Sequence, residues 1–228
     1  MSSDKNRTGN LIIVSGPSGA GKSALSALVL ESVPGLKFSI SYTTRASRGS
    51  ERDGVDYFFV SRTEFDALVR ADELLEWAEV YGNLYGTSRR AVDGFLGGGF
   101  DVILDIDVQG AHTVRQKRPE ATTIFVMPPS YQVLRERLEK RKLDKEYVIE
   151  QRLKCARREI SYYRDYDYLV INDRLEKAAE ELGEKIYDLL DEVASGIPPG
   201  SEGLIFTPWL SGERTPIDDD TIRGLSLI

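Results

Sequence analysis

The chain has 228 residues, 41% of them hydrophobic, and a net charge of −7, enough for one sizeable domain with insertions. That acidic balance disfavours a general nucleic-acid binder, although a local basic pocket could hold phosphates, and no apolar run approaches the roughly 18 residues of a membrane span. With one cysteine, Cys155, and one histidine, His112, an internal disulfide is excluded, and a cysteine-rich metal site or a Ser-His-Asp triad is not the chemistry to look for.

Residues 1–9 are polar and lack an apolar signal core, so a disordered lead-in and a cytoplasmic location are expected. The apolar run Leu11-Ile12-Ile13-Val14 predicts a strand. It leads into Gly16-Pro17-Ser18-Gly19-Ala20-Gly21-Lys22-Ser23, and Ala24, Leu25, Leu28 and Val29 then repeat at helical spacing. Strand, Gly-rich turn and helix are the setting in which this spacing marks a phosphate-binding P-loop. The glycines let backbone N–H groups turn inward towards phosphate oxygens, and the helix start adds positive dipole character. In that reading Lys22 reaches the β- and γ-phosphates of a nucleotide and Ser23 ligates Mg²⁺.

Pro34-Gly35 stops the helix. Phe38 to Tyr42 alternates and predicts one strand, followed by a polar, turn-rich segment from Thr43 to Gly54 with Arg45, Arg48 and Arg52 along it. Strand character resumes at Tyr57-Phe58-Phe59-Val60. Ser61-Arg62-Thr63-Glu64 has the form of a capping box opening a short helix with Phe65 and Leu68 inward. Leu74 to Ala78 and Val80-Tyr81 predict more strand, closed by a Gly82-Asn83 turn, so the region from about residue 40 to 90 reads as a small β-rich insert.

Val102-Ile103-Leu104-Asp105-Ile106-Asp107 is an apolar run ending in carboxylates, as a central parallel strand should look, and it places Asp105 where a Walker B-type aspartate belongs. Thr122 to Val126 and Tyr168 to Ile171 predict two further buried strands. The charged helical stretch from Ser130 to Arg164 breaks near Lys142-Leu143-Asp144; Cys155 within it is expected as a buried structural thiol. Leu175, Leu182, Ile186 and Leu189 give a closing amphipathic helix. Composition shifts near residue 194 to a Pro- and Gly-rich linker, and residues 202–228 are too few to build a core. Strands alternating with helices predict an α/β fold: a parallel sheet covered on both faces in three layers, of the P-loop NTPase type.

Arg45 and Arg48 stand three apart with tyrosines nearby. Guanidinium forks match phosphate oxygens in geometry and charge, which suits a second phosphate group. The order of motifs resembles the guanylate kinase family. The P-loop is followed by Ser41-x-Thr-Thr-Arg45-x-x-Arg48-x-x-Glu51, Asp53-Gly54-x-Asp56-Tyr57-x-Phe59-Val60, Glu76, and Gly82-Asn83-x-Tyr85-Gly86-Thr87. Ile103-Leu104-Asp105-Ile106-Asp107-x-Gln109-Gly110, Pro128-Pro129-Ser130, Arg137-Leu138-x-x-Arg141, Arg152-Leu153 and Val170-Ile171-Asn172-Asp173 complete it. The resemblance covers roughly residues 10–191.

It implies a core (10–37, 98–127 and 165–193), a GMP-binding insert (38–97) and a helical lid (128–164). It assigns the GMP phosphate to Arg45, Arg48, Tyr57 and Tyr85, and guanine to Glu76 with Ser41, Thr87 and Asp107. The chemistry agrees: guanine presents N1–H and its 2-amino group as adjacent donors, and a carboxylate accepts both. Adenine has no such donors and would leave the carboxylate unpaired. ATP falls to Gly16, Pro17, Ser18, Gly19, Ala20, Gly21, Lys22 and Ser23, with Arg137, Arg141 and Asn172. Lys22, Arg48, Arg141 and Arg152 are the expected transition-state stabilisers. Mg²⁺ would be held by Ser23, and by Asp105 through water.

The implied reaction is MgATP + GMP giving ADP + GDP, with dGMP as a second substrate, in purine nucleotide metabolism. ATP and GMP are the expected partners, with no nucleic acid and no membrane. Two other readings are a guanylate-kinase-like module that binds a phosphorylated peptide, and a related kinase for another small molecule. Intact Lys22, Ser23, Arg141 and Arg152 argue against the first, Glu76 and Thr87 against the second. The segment from Gly203 to Gly224 departs from the family and resembles a fragment of the FGGY (xylulokinase-like) sugar kinases. It is too short to supply that family's two-domain site, so no sugar-kinase activity is expected.

Overall fold

The computed structural model describes residues 8–140 and 146–195, with side chains through Asp188. In chain order the elements are β1 (Leu11–Ser15), α1 (Lys22–Ser32), β2 (Leu36–Phe38), β3 (Ser41–Thr43), β4 (Phe58–Phe59), α2 (Arg62–Arg70), β5 (Leu74–Val80) and β6 (Asn83–Ser88). There follow α3 (Arg89–Gly97), β7 (Asp101–Asp105), α4 (Val108–Lys117), β8 (Thr122–Met127), α5 (Tyr131–Lys140) and α6 (Glu146–Ile160). A 3₁₀ turn (Ser161–Asp165), β9 (Tyr168–Ile171) and α7 (Leu175–Ser195) close the described chain.

Continuous apolar runs become the sheet buried on both faces. Its order is β2-β7-β1-β8-β9, with every neighbouring pair parallel. The pleat sends Ile12 and Val14 to one face, where they meet Leu25 and Val29 of α1 and Leu182 and Ile186 of α7. Leu11 and Ile13 face the other way, against Val92 and Leu96 of α3 and Ala111 and Val114 of α4. Helix, sheet and helix thus form the three predicted layers.

A second sheet, of order β4-β3-β6-β5, stands beside the first. The run from Phe38 to Tyr42, expected as one strand, is two. Phe38 ends β2 in the large sheet and Ser41 starts β3 in the small one, with Ser39 and Ile40 between. Alternation alone does not reveal that a strand changes sheets. The capping box forms as predicted: Ser61 Oγ accepts from Glu64 N–H, and the Glu64 side chain accepts from Ser61 N–H. It starts α2, which lays Phe65 on Leu74 and Leu84. The expected insert boundary at residue 97 does not coincide with the packing, because α3 buries Val92 and Leu96 in the large core.

α5 and α6 pack together through Leu134, Leu138, Ile149, Leu153 and Ala156. Arg135 ties them further, reaching Glu146 at 3.2 Å and also pairing with Glu150. At the N-terminal end Gly9 N–H donates to Leu96 O at 2.9 Å. The lead-in expected to reach residue 9 is therefore fastened to α3 at Gly9, and residues 1–7 lie outside the described residues. So does the tail from residue 196, with its sugar-kinase resemblance.

Candidate active site

Between β1 and α1 the backbone makes a turn that only glycine fits at two of its points. Gly16 has φ 141° and Gly21 φ 95°. A Cβ at Gly16 would lie 2.2 Å from Val126 O, and one at Gly21 2.3 Å from Asn172 Nδ2. Asn172, at the end of β9, is buried and donates through Nδ2 to Ala20 O at 2.7 Å. Arg137 donates to Ala20 O at 3.3 Å and to Asn172 O at 2.8 Å. Both residues, expected on ATP, thus brace the turn from behind; neither they nor Pro17 and Ala20 line the cleft. Lys22 Nζ donates to Gly16 O at 2.9 Å, and Ser23 Oγ to Asp105 Oδ2 at 2.6 Å.

Across the cleft, Arg45 is buried between aromatic rings and a carboxylate. Its fork meets Glu51 with two 2.9 Å contacts, and its guanidinium lies 5.3 Å from the Tyr57 ring centre. Burial works against its charge, but Glu51 and the Tyr85 phenol hold Arg45 above its ordinary range. The Arg45 hydrogen bond in turn keeps Glu51 low, and the Arg48 N–H helps, donating at 2.7 Å. Tyr57 and Tyr85 meet edge to face with centres 6.0 Å apart. Burial, then the Asp105 charge, pushes the Tyr57 phenol up to about 12, so it remains a hydrogen-bond donor at neutral pH.

Glu76 sits on β5, opposite Thr87 on β6, and Ser41 on β3 faces Thr87 from the other side. Thr87 Oγ1 donates to Glu76 Oε1 at 2.6 Å. Only 4% of Glu76 is exposed. Burial raises its carboxyl to about 7, against the Thr87 hydrogen bond and with help from the Asp107 charge. Asp107 caps α4, accepting from Gly110 N–H at 2.9 Å. The Glu76 carboxylate fits against α4 because residue 110 is glycine: a Cβ there would lie 2.6 Å from Glu76 Oε2.

The third wall is α6. Arg152 is buried to 6% exposure, with its guanidinium 5.1 Å from the centre of the Tyr81 ring at the tip of the β5–β6 turn. Cys155, expected inside, is exposed, although Arg152, Leu153 and Ala156 beside it on the helix are buried. Arg141 lies outside the described residues.

The P-loop, the Arg45–Glu76 pocket and α6 line one cavity of about 580 Å³, within the range of small-molecule sites. Of the residues expected from sequence it gathers Gly16, Ser18, Gly19, Gly21, Lys22, Ser23, Ser41, Arg45, Arg48, Tyr57, Glu76, Tyr85, Asp105, Asp107 and Arg152. Thr87 stands behind Glu76. Four residues gain a place that sequence reading does not give them: Glu51, Tyr81, Gly110 and Glu159. Glu51 and Gly110 lie inside motifs of the family pattern. Tyr81 and Glu159 carry no signal beyond a turn flank and a charged helix.

Comparison with known proteins agrees with this geometry. A family model described as guanylate kinase matches residues 8–189. The chain is 51% identical over 178 residues to a guanylate kinase of Koribacter versatilis, covering 77% of this chain and 76% of that one. It is 53% identical over 174 residues to one of Hahella chejuensis, covering 76% and 84%. The crystal structure of guanylate kinase from Anaplasma phagocytophilum superposes with a TM-score of 0.68 at 34% identity, covering 80% of this chain and 87% of that one. The family model spans every described element of the cleft, relatives at about half identity cover three quarters of the chain, and the chain belongs to the guanylate kinase family.

Proposed function

We propose a division of labour among the cleft residues of this enzyme, which transfers the γ-phosphoryl group of ATP to GMP and gives ADP and GDP. The single observation behind it is that two phosphate-holding sets, the P-loop and the Arg45–Arg48–Tyr57–Tyr85 group, share one cavity. The P-loop N–H groups and Lys22 hold the ATP phosphates. Arg45, Arg48, Tyr57 and Tyr85 hold the GMP phosphate, and Glu76 accepts the guanine N1–H and amino protons, with Ser41, Thr87 and Asp107 around it. An oxygen of the GMP phosphate attacks the γ-phosphorus, and the bond from that phosphorus to the β–γ bridging oxygen breaks. ADP leaves with the electron pair. No base is needed, because the nucleophile is already an oxyanion. Arg48, Arg152 and, in the undescribed segment, Arg141 stabilise the charge that develops on the transferred group.

Ser23 and Asp105 offer a hydroxyl and a carboxylate oxygen in mutual contact, hard donors that suit Mg²⁺. Magnesium held by these two residues would supply charge neutralisation to the phosphates. dGMP as a second acceptor and a cytoplasmic location belong to the same reading. The test is ADP production from MgATP with GMP, AMP, CMP or UMP. Turnover is expected with GMP and not with the other three, and Lys22→Ala should lower it by about 10²-fold or more while GMP still binds. Comparable turnover on AMP would remove Glu76 from its guanine-reading role.

A further inference from the structure

Tyr81 lines the cleft from the tip of the β5–β6 hairpin, yet has no part in this phosphoryl-transfer scheme. Val80 pairs with Asn83, which leaves a two-residue loop of Tyr81 and Gly82. Their φ values are 51° and 79°, so both central residues take the left-handed form that tight hairpin turns of the primed type require. Asparagine, aspartate and glycine suit the first of these positions, and a bulky side chain is strained there. Among the described residues only Asp72 and Tyr81 combine a positive φ with a side chain, and aspartate is of the tolerant kind. Asn83 Nδ2 donates to Tyr81 O at 3.3 Å, a bond to the backbone that any residue at 81 could accept. The turn itself gives no reason for a tyrosine.

The reason lies across the cleft. The Arg152 guanidinium sits over the Tyr81 ring, 5.1 Å from its centre, at cation–π distance. Arg152 is buried, while 41% of Tyr81 is exposed. A guanidinium withdrawn from water gains most from a ring face, so this contact belongs at the strong end of the range. Arginine also has many rotamers to lose, and a ring mounted on a two-residue turn is a stiff platform for it. The same hairpin joins the strands that carry Glu76 and Tyr85. Its ring therefore links the small sheet to α6, and the strained backbone occurs where that link is made.

We propose that Tyr81 is a positioning residue, whose ring holds the Arg152 guanidinium in the cleft for phosphoryl transfer. The proposal rests on the role given above to Arg152 in stabilising the charge of the transferred group. Its effect belongs to kcat, because the P-loop and the Arg45–Glu76 pocket hold the two nucleotides without Tyr81.

The test is steady-state kinetics and thermal melting of full-length Tyr81→Asn and Tyr81→Phe. Asparagine suits the turn and removes the ring. Its kcat is expected to fall about five- to thirtyfold, with both KM values within about twofold of the parent and a melting temperature that holds or rises. Tyr81→Phe keeps the ring face and should keep kcat within about twofold. In an Arg152→Ala background, Tyr81→Asn should cost less than about twofold more, since the two side chains act as a unit. Native kcat in Tyr81→Asn, a loss confined to KM, or a lowered melting temperature overturns the proposal. So does an equal loss in Tyr81→Phe, or the full loss repeated in the Arg152→Ala background. Native kcat in Arg152→Ala alone would refute the role of Arg152 instead.

Discussion

In the role proposed for it, Glu76 can accept from guanine only as a carboxylate, since a protonated oxygen would face a donor with a donor. Burial has lifted its carboxyl from an ordinary 4.5 to about 7, which sets the direction of the pH effect. Between those values the folded protein holds a proton that the unfolded chain does not. Folding stability from this group therefore falls as pH rises through that window and levels off above about 7. GMP binding runs the opposite way, because binding requires the proton to leave. The Kd for GMP should rise as pH drops below about 7, approaching tenfold per unit. Glu76→Gln should flatten that dependence; an equally steep profile in the variant would assign the proton to another group. Neighbouring Arg45 obeys the reverse logic: it faces Glu51 in a bidentate pair and so keeps its charge throughout.

Between elements, the contact of α4 with β5 carries a testable compromise. Gly110 lies in the first turn of α4, where alanine would favour the helix by about 1 kcal/mol. Its Cβ would nevertheless enter the space of Glu76 Oε2. Gly110→Ala is expected to raise the KM for GMP by about tenfold or more with little change in the KM for ATP, read from steady-state kinetics. Equal effects on both nucleotides would mean that α4 as a whole had shifted. Much of this arrangement is legible in the sequence. The P-loop spacing, the capping box at Ser61 and the run ending at Asp105 each translate into a local backbone form. The strand change after Phe38 is not, because both halves alternate in the same way. Glu159 is hidden for a related reason: on a helix this charged, one inward carboxylate looks like its solvated neighbours. Cys155 is exposed against expectation because helical membership alone does not say which positions are covered.

The whole molecule divides at α7 more sharply than composition suggests. The family match ends at residue 189, while the helix runs to Ser195, across the start of the expected linker. Ala178, Leu182 and Ile186 close one face of the large sheet, so the helix is an integral part of the core. A protein ending at Ser195 should match the full chain in kcat/KM for GMP within about twofold. One ending at Arg174 should fail to melt cooperatively, having lost three buried side chains against β1 and α1. Activity that rises in the first truncation would assign the tail an inhibitory role.

The two-residue passage from β2 to β3 bears on how such an enzyme can change its diet. The small sheet leaves the core through Ser39 and Ile40 and returns through Ser88 directly into α3. Its first strand pairs with its last, Ser41 beside Thr87, so its two ends are neighbours. The residues proposed to recognise the acceptor, Asp107 apart, lie between those ends in a cassette closed at its own base, with its own small core under α2. Such a unit can be exchanged, lengthened or recoded by evolution or by a protein engineer while the ATP-handling half keeps its wiring.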